Sequence, residues 1–108
     1  MKVAYKVWLD NKGKAFGEGP YRLLKWIEKT GSLHQAAAEM GMSYRKAWLT
    51  IRNVEENLGF MLLERKIGGT SGGGSLLTPE CRKFLKKYEG FRKEIADAIE
   101  TIFQKHFG

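Results

Sequence analysis

Residues 79–108 carry an apolar seam that is longer than the rest of so small a chain can cover. Thr78, Pro79 and Glu80 are typical of a helix start, because they supply a capping hydroxyl, a proline at the first helical position and an acid in the first turn. They predict one helix from about Pro79 to Phe107. Within it, apolar side chains recur at alternating steps of three and four, the heptad spacing of helices that pack together: Cys81, Phe84, Tyr88, Phe91, Ile95, Ala98 and Ile102.

Such a helix would span roughly 40 Å at about 1.5 Å per residue, and a chain of 108 residues has little core with which to bury it. The simplest way to bury the apolar seam of this helix is to pack it against a second copy of the chain, so we expect a homodimer. The alternative is that the helix folds back onto its own domain. The chain thus divides into a compact domain, residues 1–78, and a dimerisation helix, residues 79–108. The predicted anchors of the dimer are Phe84, Tyr88, Phe91, Ile95 and Ile102.

The start of the chain predicts a β-hairpin. Residues 3–9 are rich in β-branched and aromatic side chains, and residues 10–13 form a turn signal. Ala15 and Phe16 then return as a short strand. A break at residues 17–19 follows, and Pro20 suits the start of a helix.

Three helices and a second hairpin follow. The helices are predicted over residues 21–30, 33–40 and 44–58, and each is closed by a glycine. Residues 60–66 and 76–78 predict two strands on either side of a glycine-rich loop. This order is that of a winged helix-turn-helix, mainly α with small β. An N-terminal β-hairpin precedes it and the long C-terminal dimerisation helix follows it.

The third helix sorts into two faces. Ala47, Ile51, Val54 and Leu58 recur at steps of three and four and predict a stripe that faces the core. Another face carries basic and aromatic residues near the helix start, where recognition helices reach base edges in the major groove. We therefore predict contact with double-stranded DNA through Ser43, Tyr44, Arg45, Lys46, Trp48, Leu49 and Arg52.

Different roles are expected within this face. Arg45 is suited to bidentate pairing with guanine, whereas Lys46 and Arg52 are better placed for phosphates. Tyr44 can hydrogen-bond to either. For Tyr44 and Trp48 the alternative is packing against a neighbouring element.

The glycine-rich loop is expected to act as the wing. Arg65 and Lys66 precede it, and further basic residues follow it. Such a tip can lie along the phosphate backbone or enter the minor groove, with Lys66, Thr70 and Ser71 as contacts. The loop lacks the Gly-Lys-Ser/Thr ending of a nucleotide-binding loop. The alternative is a hairpin turn that contacts no partner.

Composition narrows the classes of function. A net charge of +7 favours polyanionic partners. Cys81 is the one cysteine, which excludes an internal disulfide and a cysteine-based zinc site and indicates the reducing cytoplasm. Since His34 and His106 lack a matching acidic cluster, we expect no enzyme, metal or other cofactor. No apolar run is long enough to span a membrane. A reactive Cys81 thiol near a helix start is a further alternative.

Several short motifs together resemble the N-terminal DNA-binding domain of the molybdate-responsive ModE family. They are Gly31-Ser32, Ala36-Ala37-Ala38, Met42-Ser43-Tyr44-Arg45, Ala47-Trp48, Gly68-Gly69, Gly72-Gly73-Gly74 and Leu77-Thr78. Residues 55–59 and 63–65 resemble the wider LysR-type winged-helix group. The match covers about residues 3–90, and Cys81 stands where a glycine is usual.

The resemblance implies a homodimeric transcriptional regulator whose helix from Tyr44 and wing at Lys66–Ser75 contact DNA. Full-length members continue into a domain that binds molybdate or tungstate, and this sequence ends at Gly108 without it. No oxyanion ligand is therefore expected for this chain.

Two alternatives stay open. One is a protein-interaction module that keeps the winged fold without DNA binding, for which Leu49 among the basic residues would mark the contact. The other is a DNA-binding dimer that a separate ligand-binding protein controls through the long helix.

Overall fold

A computed structural model describes residues 1–66 and 74–108, with Lys66 described by its backbone alone; Thr70 and Ser71 of the predicted wing lie outside these residues. The elements confirm the predicted fold class, three helices followed by an antiparallel hairpin and a long helix. In chain order they are β1 (Leu9–Asp10), β2 (Lys14–Phe16), α1 (Glu18–Thr30), α2 (Leu33–Glu39), α3 (Tyr44–Leu58), β3 (Leu63–Lys66), β4 (Gly74–Leu77) and α4 (Pro79–Phe107).

The N-terminal hairpin is shorter than the sequence predicts. Residues 1–8 have no regular secondary structure, and only Leu9 and Asp10 pair with β2, opposite Phe16 and Lys14. A strand needs a neighbour for its backbone hydrogen bonds, and β2 ends at Phe16 where α1 is about to begin. Residues 3–8 therefore have strand propensity but no strand to pair with in the described part of one chain.

Side-chain caps set the starts of three helices, as the sequence predicts. The Ser32 hydroxyl oxygen accepts a hydrogen bond from the Gln35 amide, and Ser43 accepts one from Lys46, each at 3.1 Å. Thr78 does the same for Cys81 at the start of α4. Local rules thus fix the start of the recognition-helix candidate and that of the long helix.

The core lies where α1, α3 and the first turns of α4 meet the two hairpins. Phe16 is completely buried, and its ring packs edge-on against Phe84 and Tyr88 with centroid distances of 4.9 Å and 4.8 Å. The buried side chains of α4 are Cys81, Leu85 and Tyr88, all in its first three turns. The long helix is therefore partly a core helix of its own domain.

Beyond Gly90 the side chains of α4 are exposed or half-exposed. The helix has 29 residues, about 43 Å at 1.5 Å per residue, and the molecule measures 56 Å along its longest axis. Phe91 and Ile102 are 42% and 58% exposed. The outer turns leave an apolar surface that the described part of the chain does not cover.

A polar cluster, which we call the α1–α4 cluster, fixes the direction in which α4 leaves the domain. The Arg92 guanidinium donates to both carboxylate oxygens of Glu18, at 2.8 Å and 2.9 Å, and lies 4.3 Å above the Tyr21 ring centroid. The Tyr21 hydroxyl donates to Glu89, and Lys25 lies 3.6 Å from the same carboxylate oxygen. The hydrogen bond from Tyr21 is the main reason that the pKa of Glu89 is lowered.

Candidate nucleic-acid interface

α3 buries one face and exposes the other, as its sequence predicts. Ala47, Ile51 and Val54 are buried in the core, and Leu58 is half-buried behind them. The remaining surface is exposed along the first three turns, which brings six predicted contacts together on one side of one helix. These are Tyr44, Arg45, Lys46, Trp48, Leu49 and Arg52.

The Trp48 ring lies beside Arg52 of its own helix. The Arg52 guanidinium carbon lies 5.4 Å from the Trp48 ring centroid, one turn away, and the tryptophan remains 45% exposed. This geometry suits a cation–π contact. It holds the Arg52 charge close to the surface that Trp48 presents.

α2 and α3 meet through small residues, which makes the helix-turn-helix compact. Ala36, Ala37 and Ala47 are almost completely buried. In the turn, the Met42 amide donates to the Ala37 carbonyl at 3.0 Å, and the Gly41 amide donates to that of Ala38. This close approach places the N-terminal ends of both helices on the same side of the domain.

The alternative that the sequence left open for Tyr44, packing against a neighbouring element, is observed on this side of the domain, and sequence reasoning missed only the partner residue. The His34 and Tyr44 rings are stacked, with centroids 3.9 Å apart and planes inclined by 9°. The two residues are ten positions apart and belong to different helices, so no spacing rule within one element predicts the contact. Only the packing of α2 on α3 brings them together.

The base of the wing is tied to the rest of the domain. β3 and β4 pair from Leu63 opposite Leu77 to Lys66 opposite Gly74. The Ser75 amide donates to the Gly31 carbonyl at 2.9 Å. A Cβ atom on Gly74 would lie only 2.4 Å from that carbonyl oxygen, so the close approach requires glycine. The start of β4 therefore lies beside the junction between α1 and α2.

A buried carboxylate joins α3 to β3. Glu55 is 9% exposed, and its Oε2 accepts a hydrogen bond from the Leu62 amide at 2.8 Å. The Leu62 carbonyl in turn accepts from the Thr78 amide at 3.0 Å, just before α4. Sequence reasoning gave Glu55 no role of its own. The structure shows that it connects the recognition-helix candidate to the wing and to α4.

Two of the five predicted dimer anchors belong to the core of one chain, which corrects the sequence prediction. Tyr88 is 2% exposed and packs on Phe16 and Tyr21, so it is not available to a partner. Phe84 is half-buried between Phe16 and Phe60. The heptad spacing is present in α4, but the first turns of this helix face the chain's own domain. Phe91, Ile95 and Ile102 remain on the uncovered part of α4.

The Cys81 thiol is completely buried. Burial raises its pKa to about 12, so the reactive thiolate form is suppressed at neutral pH. This observation favours the packing role of Cys81 over the redox alternative.

Two further features concern possible metal ligands and membrane-spanning helices in the described residues. Within residues 1–66 and 74–108, no three His, Cys, Asp or Glu residues are placed to hold a metal ion. No helix in the described residues combines the length and apolar character needed to cross a membrane.

Comparison with known proteins identifies related sequences. Residues 21–82 match a family model described as bacterial regulatory helix-turn-helix protein, lysR family. The molybdenum-pterin-binding protein MopB of Rhodobacter capsulatus is 32% identical over 101 residues, which cover 94% of this chain and 37% of MopB. The transcriptional dual regulator ModE of Escherichia coli K12 is 37% identical over 85 residues, which cover 79% of this chain and 29% of ModE. The chain thus spans about a third of the length of these relatives.

Solved structures share the fold. A crystal structure of the BenM DNA-binding domain in complex with benA site 1 DNA superposes with a TM-score of 0.60 and 22% identity, over 83% of this chain and 96% of that domain. DarR of Vibrio fischeri, also in complex with DNA, gives a TM-score of 0.59 and 21% identity, over 82% of this chain and 29% of DarR. At these identities the likeness concerns the fold.

Proposed function

Because the chain belongs to the lysR family of bacterial regulatory helix-turn-helix proteins, we propose that it is the DNA-binding part of a transcriptional regulator and reads duplex DNA as a homodimer. The observation that carries the proposal is the exposed basic and aromatic face at the start of α3. An exposed face of this composition is an unusual feature for a helix that only packs, and a suitable one for a helix that enters the major groove. The relatives named as transcriptional regulators support the same function.

We assign roles along α3 by distance from the helix start. Arg45 lies in the first turn and is proposed to pair with a guanine edge. Lys46 and Arg52 are proposed to contact phosphates, with Trp48 holding the Arg52 guanidinium in place. Leu49 offers an apolar surface of the kind that a thymine methyl group accepts. Ser43 and Tyr44 complete the contact at the helix start, where the helix dipole favours a phosphate.

The wing is the second proposed contact, through Lys66, Thr70 and Ser71. Support comes from its base, since β3 and β4 are paired and the Ser75 to Gly31 hydrogen bond ties β4 to the α1–α2 junction. A wing anchored in this way can follow the phosphate backbone next to the groove that α3 enters.

The outer part of the helix at residues 79–108 is the proposed dimer contact. Phe91, Ile95 and Ile102 lie on turns that the described chain leaves open. Burying a large apolar side chain is worth about 1.5–3 kcal/mol, and each anchor is counted twice in a symmetric pair. The six side chains of a symmetric pair would contribute at most about 9–18 kcal/mol, against an association cost of about 4–15 kcal/mol.

We propose a cytoplasmic protein in which this chain supplies DNA binding alone. The relatives whose names refer to molybdenum are about three times as long as the part that this chain matches. We assign no oxyanion ligand, cofactor or catalysis to these 108 residues.

The proposal is tested by selection from a random duplex pool at moderate salt. We expect the purified chain to enrich one motif with two related half-sites, which is the signature of a dimer that reads sequence. A matched control is the double variant Arg45→Ala with Lys46→Ala, which should lose the enrichment. Retention without enrichment would contradict sequence reading. If the wild-type chain retains no duplex, DNA binding by this chain alone is contradicted, and either protein interaction or a regulator that needs a missing effector is favoured.

A further inference from the structure

The stacked pair of His34 and Tyr44 lies at the start of α3, beside the other proposed contacts. His34 is in the first turn of α2, and Tyr44 is the first residue of α3. The ring planes are nearly parallel, at 9°, and the centroid distance of 3.9 Å is that of direct contact between two faces. Both side chains are also exposed, so the pair sits on the outer surface of the helix-turn-helix.

Core packing already closes the helix-turn-helix without this stack. The contact between α2 and α3 is made by the buried Ala36, Ala37 and Ala47, and the turn is held by backbone hydrogen bonds. The stack therefore lies outside the contacts that hold the fold. A ring pair that is not needed for folding and that lies on the proposed DNA contact surface is a candidate for a role in DNA binding.

The stack determines where the Tyr44 hydroxyl points. A tyrosine on the exposed side of a helix start ordinarily has more than one staggered conformation available. The flat imidazole face of His34 leaves Tyr44 the conformation in which the two rings are parallel.

We propose that His34 is a positioning residue for DNA recognition, which fixes the Tyr44 ring in its DNA-contacting conformation before binding. The inference rests on the proposed function and names one determinant of its specificity. Holding a contacting side chain in place removes the entropy cost of ordering it on the DNA. For one side chain in each subunit of the proposed dimer, that cost corresponds to about a 5- to 160-fold change in affinity.

The test uses a double-mutant cycle in the full chain. The probe is the duplex that the wild-type protein enriches from the random pool, and affinity is measured by fluorescence anisotropy at several salt concentrations. The variants are His34→Ala, Tyr44→Ala and the combination of both. His34→Phe restores a flat ring without the imidazole nitrogens. His106→Ala is the matched control, because it removes the other histidine from the far end of α4.

We expect His34→Ala to weaken binding of the dimer by about 5- to 160-fold, with unchanged circular dichroism, and His34→Phe and His106→Ala to bind as the wild type does. In the Tyr44→Ala background the loss of His34 should have no further effect. The dependence of affinity on salt should be the same for His34→Ala as for wild type, since positioning removes no phosphate contact.

Three results would overturn the inference. In one, His34→Ala binds as tightly as wild type. In another, it weakens binding equally with and without Tyr44, and the salt slope falls by about one for each subunit, which would make His34 a phosphate contact of its own. In the third, His34→Phe binds as weakly as His34→Ala. A wild-type chain that binds no duplex overturns the proposed function itself, and the inference with it.

Discussion

Replacing Glu55 by alanine is expected to destabilise the domain by about 1–3 kcal/mol, because it leaves one buried amide without its acceptor. The amide is that of Leu62, whose side chain is completely buried, and the present acceptor is the Glu55 carboxylate at 2.8 Å. Water does not reach a buried amide easily, so the whole cost of the unmade hydrogen bond is paid in the folded state.

Two neighbouring substitutions separate this cause from others. Glu55→Gln keeps a carbonyl oxygen that can accept from Leu62 but lacks the charge, so it should cost about 1 kcal/mol, the difference between charged and neutral hydrogen bonds. Glu56→Ala removes an equal side chain from the exposed position beside it and should change stability by less than about 0.5 kcal/mol. From the most to the least stable variant, the expected order is therefore Glu56→Ala, Glu55→Gln and Glu55→Ala.

Urea unfolding of the three variants, followed by circular dichroism at one protein concentration, gives the free energies of unfolding. In a thermal melt each 1 kcal/mol should lower Tm by about 4–8 °C for a domain of nearly this size. The reasoning is refuted if Glu55→Ala loses no more stability than Glu56→Ala. That result would mean that the Leu62 amide finds another partner or that water reaches it.

Four other results are expected. Arg45→Ala should lower discrimination at one base pair by about 1–3 kcal/mol in competition binding, and an equal loss on every sequence would show that Arg45 contacts phosphate only. Phe91→Glu with Ile95→Glu should give monomers by light scattering, and a persistent dimer would place the interface elsewhere. The Cys81 thiol should react with an alkylating reagent far more slowly in the folded chain than in urea, and equal rates would contradict its burial. Gly74→Ala should destabilise the domain in urea because its Cβ meets the Gly31 carbonyl oxygen, and wild-type stability would mean that β4 can shift.

The parts of the fold that follow local rules were predicted well from sequence. α3 begins after the Ser43 cap and ends at Gly59, which has a φ of 82°, and α4 runs from Pro79 to Phe107 as its first-turn residues indicate. Capping depends on side chains within three or four positions, so neighbours in sequence contain the necessary information. The apolar stripe of α3 was predicted for the same reason.

The parts that depend on tertiary contacts were not predicted. The heptad spacing of α4 is satisfied equally by a partner chain and by the chain's own domain, and only the fold shows that Tyr88 faces Phe16. Residues 3–8 have strand propensity but no adjacent strand. The roles of His34 and Glu55 come from contacts with Tyr44 and Leu62, which lie across a turn or an element boundary. Periodicity within one element contains no information about such pairs.

The continuity of α4 has a consequence for how such a regulator can change over evolutionary time. The helix is uninterrupted from the core residue Cys81, through the α1–α4 cluster, to Phe107. In the proposed dimer, one residue inserted after Arg92 would turn the outer seam by about 100° and move it by about 1.5 Å relative to α3. Side chains on the outer turns can therefore be substituted over evolutionary time, as long as the number of residues in α4 stays the same. A relative that reads more widely spaced half-sites would need a whole heptad, which lengthens each helix by about 10 Å and nearly restores the phase.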